Sequence, residues 1–316
     1  MSDPAPPQDA VSVIDQEFIV GEPCPVAVDV PRAFVHLRPG SDPERARVNV
    51  AVSGCPPDEA EATLDRIGIS TRQVKGTIRV SPGEGAAPAD WWRWVRTLDV
   101  SLHVEMVLPS RVEADLRVPG GEALVSDLTG EVDLKVMGGT CRAEALGGSL
   151  NIRGESSEVT VTDFSGDELT ARVAVGSLSL NDVEADAITL RSVAAPLRIS
   201  EVRGPGSVTA NSTEVHVEAV EGPWTIHSQG GPVVFDGPPT AETELAVVGS
   251  TLDVHLPDDL ASRLSMTGPT LHLDEDFSFE GKRTEHTIEG TLNGGGPRLD
   301  ARAVGGSGVC RVQVRE

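Results

Sequence analysis

Four basic residues recur at nearly constant spacing and are the clearest candidates for binding chemistry. Lys135, Arg153, Arg172 and Arg191 each stand inside a short segment that alternates apolar and polar residues. If these segments are strands stacked in parallel, their side chains form one column on the outer face of a sheet. Such a column predicts binding of an anionic partner, either an acidic glycan or the acidic face of another copy.

The basic column also has a purely structural interpretation. Like charges on neighbouring strands destabilise a sheet, and Glu155, Glu168 and Glu184 are near enough in sequence to neutralise the column locally. The same register continues the column with Asn211 and His227. Beside it runs a mostly small and polar column, which predicts a flat face for an extended partner: Asp133, Asn151, Thr170, Thr189, Thr209 and Thr225.

A second candidate site is the aromatic cluster Trp91, Trp92 and Trp94. Exposed tryptophans bind sugar rings or protein partners through large flat surfaces. The alternative is that the cluster plugs the open end of a stacked fold, since such a stack needs a cap where it begins.

Motifs for catalysis, metals and cofactors are missing from the sequence. The seven histidines form no H-E-x-x-H pattern, the four cysteines form no C-x-x-C pair, and "LNGGGPRLD" lacks the Lys-Ser/Thr of a phosphate loop. Polysaccharide-cleaving β-helices need paired carboxylates in a walled cleft, and no long insertions interrupt the repeats to build one. The sequence therefore predicts a non-enzymatic protein without catalytic residues, cofactor or metal.

Charge and hydropathy further limit the classes of binding partner and the expected cellular location. The 316 residues carry a formal charge of −23, which disfavours binding to nucleic acid or anionic membranes. No segment has the roughly 18 consecutive apolar residues of a membrane span, and the N-terminus lacks the pattern of a secretory signal, so we expect a cytoplasmic protein. Free thiols are expected in that compartment, with a bridge between Cys24 and Cys55 as the alternative.

A repeat of roughly 18 to 20 residues dominates the chain from about residue 131 to 260, as in "SLNIRGESSEVTVTDFSG", residues 149–166. Each unit holds two short alternating runs separated by turns. This pattern predicts an all-β fold, a parallel β-solenoid with two facing sheets, in preference to an antiparallel sandwich, which requires no constant period. The predicted inward residues include Val132, Leu134, Leu150, Ile152, Val159, Val161, Leu178, Leu180, Ile188, Leu190, Leu197 and Ile199.

Three regions follow from these patterns. Residues 1–17 are rich in Pro, Asp and Ala and are predicted to be disordered. Residues 18–110 form a β-rich cap with one short helix in "CPPDEAEATLDRIG", where Pro57 marks the start and Gly68 the end. Residues 111–316 form the solenoid, and its last part breaks the period as a C-terminal closure, with Cys310, Val312 and Val314 pointing inward.

The strand set "VAVDVPRAFVHLRPG", the acidic helix and the Gly-punctuated two-strand coils resemble the bacterial putative-adhesin β-solenoid domains. That family of unknown function is itself distantly similar to head-GIN and bactofilin-like solenoids. The resemblance extends over roughly residues 19–314 and implies a solenoid fold, surface adhesion and self-assembly. It supplies no catalytic residues.

Two functions fit these observations. The first is a non-enzymatic scaffold whose flat faces bind protein partners or further copies of the chain. The alternative is a carbohydrate-binding or adhesin-like module.

Overall fold

The computed structural model describes residues 10–83, 100–306 and 308–315. The chain divides into two compact units, Met1–Ser157 and Glu158–Glu316. Both are built from short strands, and the described part of the chain contains one α-helix, α1 (Ala60–Ile67), preceded by a 3-10 turn (Pro57–Glu59).

Unit 1 winds through eleven strands in the described ranges and the beginning of a twelfth. They are β1 (Val11–Ile19), β2 (Cys24–Asp29), β3 (Ala33–Pro39), β4 (Arg45–Ser53), β5 (Ile69–Val74), β6 (Thr77–Pro82), β7 (Ser101–Leu108), β8 (Arg111–Pro119), β9 (Glu122–Ser126), β10 (Thr129–Met137) and β11 (Thr140–Glu144). The run β12 (Gly147–Val193) begins in unit 1 and ends in unit 2. Because β12 contains residues in the left-handed conformation, such as Ser156 and Asp182, it turns corners and is not one straight strand.

Parallel stacking of successive coils is the organising feature of unit 1. Sheet A consists of β5, β6, β2, β8, β10 and the first residues of β12; sheet B consists of β1, β4, β7, β3, β9 and β11. Val132 lies directly opposite Leu150, and Leu134 opposite Ile152, on parallel strands. All twelve predicted inward residues are buried. The predicted parallel solenoid is therefore confirmed, and the sandwich alternative is wrong.

The N-terminal end of unit 1 does not follow chain order. The coil made by β2 and β3 lies between the coil of β6 and β7 and the coil of β8 and β9. Antiparallel strands then close the end: β5 pairs with β6 in sheet A, and in sheet B β4 pairs with β7 and β1 with β4. Such strands cover edges that would otherwise pair with another chain.

The predicted helix is confirmed, together with its start and end signals. Pro57 lies at the first turn, Arg66 in the last, and Gly68 ends the helix with a left-handed φ of 74°. Ala60, Thr63, Leu64 and Ile67 form its buried face, and the helix packs against β1 and β4. This helix thus covers the core on the side where those two strands lie.

Part of the N-terminal prediction is wrong. Residues 11–17 were expected to be disordered, but they belong to β1, which pairs antiparallel with β4 from Val11 opposite Val52 to Ile19 opposite Arg45. Arg47 binds Asp15 through two hydrogen bonds, at 2.7 and 2.5 Å. A partner strand that is distant in sequence therefore orders a segment whose composition alone predicts disorder.

All four cysteines are free thiols, as expected.

Unit 2 continues the same two-strand pattern. Its strands after β12 are β13 (Leu197–Arg203), β14 (Gly206–Asn211), β15 (Val215–Glu221), β16 (Trp224–Gln229), β17 (Val233–Asp236), β18 (Thr243–Val248), β19 (Thr251–Leu256), β20 (Ser262–Thr267), β21 (Thr270–Leu273), β22 (Phe279–Arg283), β23 (Thr287–Leu292), β24 (Arg298–Val304) and β25 (Val309–Val314). We call sheet C the stack of residues 188–193, β14, β16, β18, β24, β20, β23 and β22, and sheet D the stack of residues 178–184, β13, β15, β17, β19, β25 and β21.

The C-terminal closure is also out of chain order. The last coil, β24 and β25, lies between the coil of β18 and β19 and the coil of β20 and β21. Cys310 and Val312 are fully buried, in line with the predicted alternation, while Val314 is half-buried. The hairpin of β22 and β23 pairs antiparallel with β20 and ends sheet C.

One inward position in unit 2 shows how neighbouring coils share volume. Trp224 is 1% exposed and lies between Gly206 on one neighbouring strand and Thr243 on the other. A Cβ atom at Gly206 would overlap three carbons of the Trp224 ring. Trp224, the largest fully buried side chain among the described residues, therefore fits because Gly206 on the neighbouring coil has no side chain.

Replacing Gly206 with Ala should lower the free energy of unfolding by about 1–3 kcal/mol, because the added methyl overpacks the Trp224 ring. Chemical denaturation measures this value. Gly21→Ala is the matched control, since a Cβ at Gly21 meets no atom within 4 Å and its stability should change little. Trp224→Leu should cost clearly less in the Gly206→Ala background than alone; equal costs in both backgrounds would contradict the packing.

Val175 offers a stabilising substitution. This β-branched residue has a φ of 60° and is 54% exposed. A left-handed backbone costs an L residue roughly 1–2 kcal/mol, and Asn tolerates it better than Val. We expect Val175→Asn to raise the free energy of unfolding by about 1 kcal/mol, by the same strain argument.

The matched control for this substitution is Val193→Asn. Val193 is 40% exposed and lies in an ordinary strand conformation. Because Asn is disfavoured in strands, the control should lose stability. A decrease at both positions would show that Val175 is not strained.

Candidate binding surface

In unit 1 the predicted basic residues Lys135 and Arg153 lie directly opposite each other on parallel strands of sheet A. Arg117 lies opposite Lys135 on its other side and extends the column by one residue. Asp115 neutralises part of it: its carboxylate is 3.0 Å from the Lys135 ammonium and 3.9 Å from the Arg117 guanidinium. Within the described part of unit 1, the neutralising carboxylate is therefore Asp115 and not Glu155.

Arg153 differs from Lys135 in its surroundings. Its side chain is exposed, and it has no ion-pair partner among the described residues of unit 1. The nearby Asp133 accepts a hydrogen bond from the Asn151 amide. Arg153 is thus the member of this column most available to a ligand.

In unit 2, Arg172 and Arg191 are both exposed and lie on β12. Neither forms an ion pair with a described residue of that unit, Glu168 and Glu184 included. Glu168 accepts a hydrogen bond from the Thr170 hydroxyl at 3.1 Å.

The predicted continuation of the column needs a correction. Arg191 lies opposite Thr209, not Asn211, and Thr209 lies opposite His227. The neighbouring column correspondingly runs from Thr189 through Ser207 to Thr225. The prediction is wrong because β14 follows the last strand segment of β12 after fewer residues than the predicted repeat requires.

The other candidates, Trp91, Trp92 and Trp94, lie outside the described residues.

A groove in unit 1 was not predicted from the sequence. It has a volume of about 560 Å³ and lies where strands of sheet A turn into strands of sheet B. Four successive coils contribute to it, through residues 101–103, 32–34, 120–122 and 138–140. The groove therefore runs across the strands, along the direction in which the coils stack.

Missing side chains create this groove. Gly120 and Gly138 both turn the corner with a φ of 69°, and a Cβ at Gly138 would meet no atom within 4 Å. The next residues, Gly121 and Gly139, lie so close to the carbonyl of the preceding coil that a Cβ would overlap it. Since two consecutive corners carry no side chain, bare backbone forms the floor of the groove.

An aromatic group forms one wall. The Phe34 ring centroid is 6.2 Å from that of His103 and 6.3 Å from that of His36, both in tilted arrangements. The two histidines are held in turn: His103 Nε2 is 3.0 Å from Ser53 Oγ, and His36 Nε2 is 3.4 Å from Ser126 Oγ. This cluster fixes the Phe34 ring while leaving it half-exposed.

The polar residues of the groove include one positively charged and one negatively charged side chain. Arg32 and Glu122 are exposed at its edge, and Ser101 and Thr140 add hydroxyl groups. Phe34, Glu122 and Thr140 stand on three successive strands of sheet B at equivalent positions. An aromatic wall with balanced charges and several hydroxyl groups suits a neutral, polar ligand.

The sequence contains two local signals of this groove. "VPGGEA" and "VMGGTC" stand in successive repeats, and each places two glycines at the same point of its repeat. Phe34 is one of only six phenylalanines in a chain without tyrosine. What the sequence did not reveal is that the Phe34 segment lies beside these glycines, because β3 is inserted into the stack out of order.

The described ranges show no sign of a metal centre. They contain no cluster of three His, Cys, Asp or Glu side chains arranged to hold a metal ion. None of the helices in those ranges has the length and apolar character needed to cross a membrane. Burial raises the pKa of the Cys24 thiol to about 11 and those of Cys141 and Cys310 to about 12, so these thiols stay protonated at neutral pH.

Comparison with known proteins identifies a solved structure with a similar fold. No protein-family model matches the chain, and no curated protein does. Among solved structures, a putative adhesin from Parabacteroides merdae ATCC 43184 is 11% identical, with 96% of each chain covered and a TM-score of 0.50. A putative adhesin from Bacteroides fragilis NCTC 9343 is 9% identical with the same coverage, but its TM-score of 0.36 supports no argument.

The predicted resemblance is therefore confirmed at the level of fold. At 11% identity the likeness to the Parabacteroides protein concerns architecture alone. The chain has the all-β fold of a bacterial protein described as a putative adhesin.

Proposed function

We propose that this chain is a non-enzymatic, adhesin-like binding protein, in which the solenoid is a rigid scaffold and the corner groove of unit 1 is the recognition site. The observation that carries the proposal is the half-exposed Phe34 ring, held by two histidines beside a floor of bare backbone. Preformed concave sites with a few fixed polar groups are the usual form of ligand sites.

The ligand class follows from the lining. A sugar ring has an apolar face that stacks on an aromatic side chain, and hydroxyl groups at its edge that need donors and acceptors. The Phe34 ring can stack on the apolar face of a sugar. The donors and acceptors for the sugar hydroxyl groups come from Arg32, Glu122 and Thr140. Because the groove crosses four coils, it accommodates consecutive units of a polysaccharide, which we propose as the ligand.

The lining favours binding over cleavage. Glu122 is the only carboxyl group among the described residues of the groove, whereas glycoside hydrolysis uses a pair of carboxyl groups on either side of the scissile bond. The proposal therefore assigns no catalytic step to this groove.

Phe34→Ala should weaken polysaccharide binding about tenfold, because the loss of one stacked aromatic ring corresponds to roughly 1–1.5 kcal/mol. The measurement is isothermal titration with soluble mannan, β-glucan and galactan, with hyaluronan and heparin as acidic comparators. Phe279→Ala is the matched control, since Phe279 is a half-buried phenylalanine of unit 2. The absence of binding to the three neutral polymers, or equal binding by both variants, would contradict the proposal.

A second candidate function is supported by the exposed arginines. The flat sheets can dock an anionic protein partner, an acidic glycan or a further copy of this chain, whose net charge is −23. Arg153 in unit 1, and Arg172 and Arg191 in unit 2, lack intramolecular carboxylate partners in the described ranges of their own units. Guanidinium groups in this state are well suited to bidentate binding of carboxylate or sulfate.

Substitution of these arginines tests the second function. Arg153→Gln alone, and Arg172→Gln with Arg191→Gln, should each weaken heparin binding at low salt and reduce its salt dependence, while the thermal midpoint changes little. Arg142→Gln and Arg198→Gln remove exposed charges from sheets B and D and serve as controls. Equal losses in the control variants would show a general charge effect instead of a defined surface.

A further inference from the structure

The last coil of unit 2 fills a gap left by the preceding part of the chain. The strand that follows β19, β20, does not pair with β18. A gap of one strand separates β20 from β18 in sheet C, and β24 fills this gap by pairing with both. In sheet D, β25 likewise lies between β19 and β21. We call residues 298–315 the closing segment and the space between the two flanking coils the slot.

Hydrogen bonding and burial depend on the closing segment. It pairs in parallel on both sides, for example Leu299 between Thr243 and Leu264, and Cys310 between Leu252 and Leu271. Its inward side chains are almost fully buried: Leu299, Ala301, Ala303, Cys310 and Val312. An empty slot would expose two pairs of strand edges, each able to accept another strand.

Ion pairs fasten the closing segment to coils on one side of the slot. Arg311 lies 3.1 Å from Asp253, and Arg315 reaches Asp236 at 3.0 Å and Glu218 at 3.1 Å. On the other side, the Val314 amide donates to Asp274 at 3.3 Å. All these partners lie outside the segment, so the same contacts form whichever copy of the chain supplies it.

The connection into the closing segment is short and rich in glycine. Asn293, Gly294 and Gly295 have left-handed φ values of 45°, 89° and 88°. The Asn293 side chain donates to the carbonyls of Asp258 and Leu260, which holds the turn in its closed form. Glycine readily adopts extended conformations as well, so this turn can open into a hinge.

We propose that the closing segment is exchangeable, so that two copies of this chain insert residues 298–315 into each other's slots and form a closed two-fold dimer. The inference deepens the self-association part of the proposed function and is independent of the corner groove. Because a tethered segment has a high effective concentration at its own slot, the monomer prevails in dilute solution. The dimer then forms when chains fold together at high concentration.

A disulfide reports which chain fills each slot. Leu252 lies directly opposite Cys310 on a neighbouring parallel strand, and both side chains point inward. Neighbouring strands are about 4.8 Å apart, a distance that a disulfide can bridge. The variant is Leu252→Cys in a Cys55→Ser background, which removes the one partly exposed thiol.

In the experiment, tagged and untagged full chains are unfolded together under reducing conditions, refolded at low or high concentration, and then oxidised. Non-reducing gels should show monomers after dilute refolding and a tagged–untagged covalent dimer after concentrated refolding. Monomers alone at every concentration, with the disulfide formed within each chain, would overturn the proposal. Dimers seen by light scattering without the interchain disulfide would also overturn it, because they would use another surface.

Two further variants extend the experiment. The first avoids a substitution in the core, and the second tests the hinge. Asp253→Cys with Arg311→Cys probes the same strand pair from its outward face. Deleting Gly294 and Gly295 shortens the turn and disfavours the return of the closing segment to its own slot, so dimers should form at a lower refolding concentration than in the parent chain. A deletion variant that dimerises no more readily than the parent would contradict the proposal. Polysaccharide binding at the groove of unit 1 should stay unchanged in all variants, which separates this test from that of the proposed function.

Discussion

The structure depends on one backbone constraint, the left-handed residue at the corner where a strand of one sheet turns into the next. In unit 1 these residues include Arg32, Gly120, Gly138 and Ser156, with φ between 51° and 69°. The amides of Arg32, Gly120 and Gly138 each donate to a carbonyl of the neighbouring coil, as from Gly138 to Glu155 at 2.8 Å. Because these corners of unit 1 repeat the same conformation, their coils stay in register, and apolar side chains stack in continuous columns.

The corner constraint also determines where a ligand site can form. A left-handed conformation favours glycine but does not require it, since unit 2 uses Ala194 and Ser212 at its corners. At Gly120 and Gly138, two consecutive corners of unit 1 without side chains, the surface has a groove. The candidate site thus arises from the same turn geometry that keeps the coils in register.

The constraint of parallel stacking creates a difficulty at the ends. A stack of parallel strands exposes unpaired edges, and such edges promote association with other chains. Both units use a similar solution: a segment is inserted one coil inward, and antiparallel strands cover the last position in both sheets of unit 1 and in sheet C of unit 2. As a result, the outermost coils are held by strands that are distant in sequence, and the C-terminal segment becomes the part that a second copy can supply.

The sequence by itself determined the period, the inward residues from Val132 to Ile199 and the short helix ending at Gly68, because alternation and capping are local properties. It also identified the outward basic residues, although the misplaced register of β14, with Thr209 instead of Asn211 opposite Arg191, shows that register depends on exact turn lengths. Only the tertiary structure decided that β1 is ordered, that β3 lies beside the glycine corners, and that β24 and β25 enter the slot. Each of these depends on pairing between segments far apart in the chain, and strands with similar local patterns do not specify which neighbour they join.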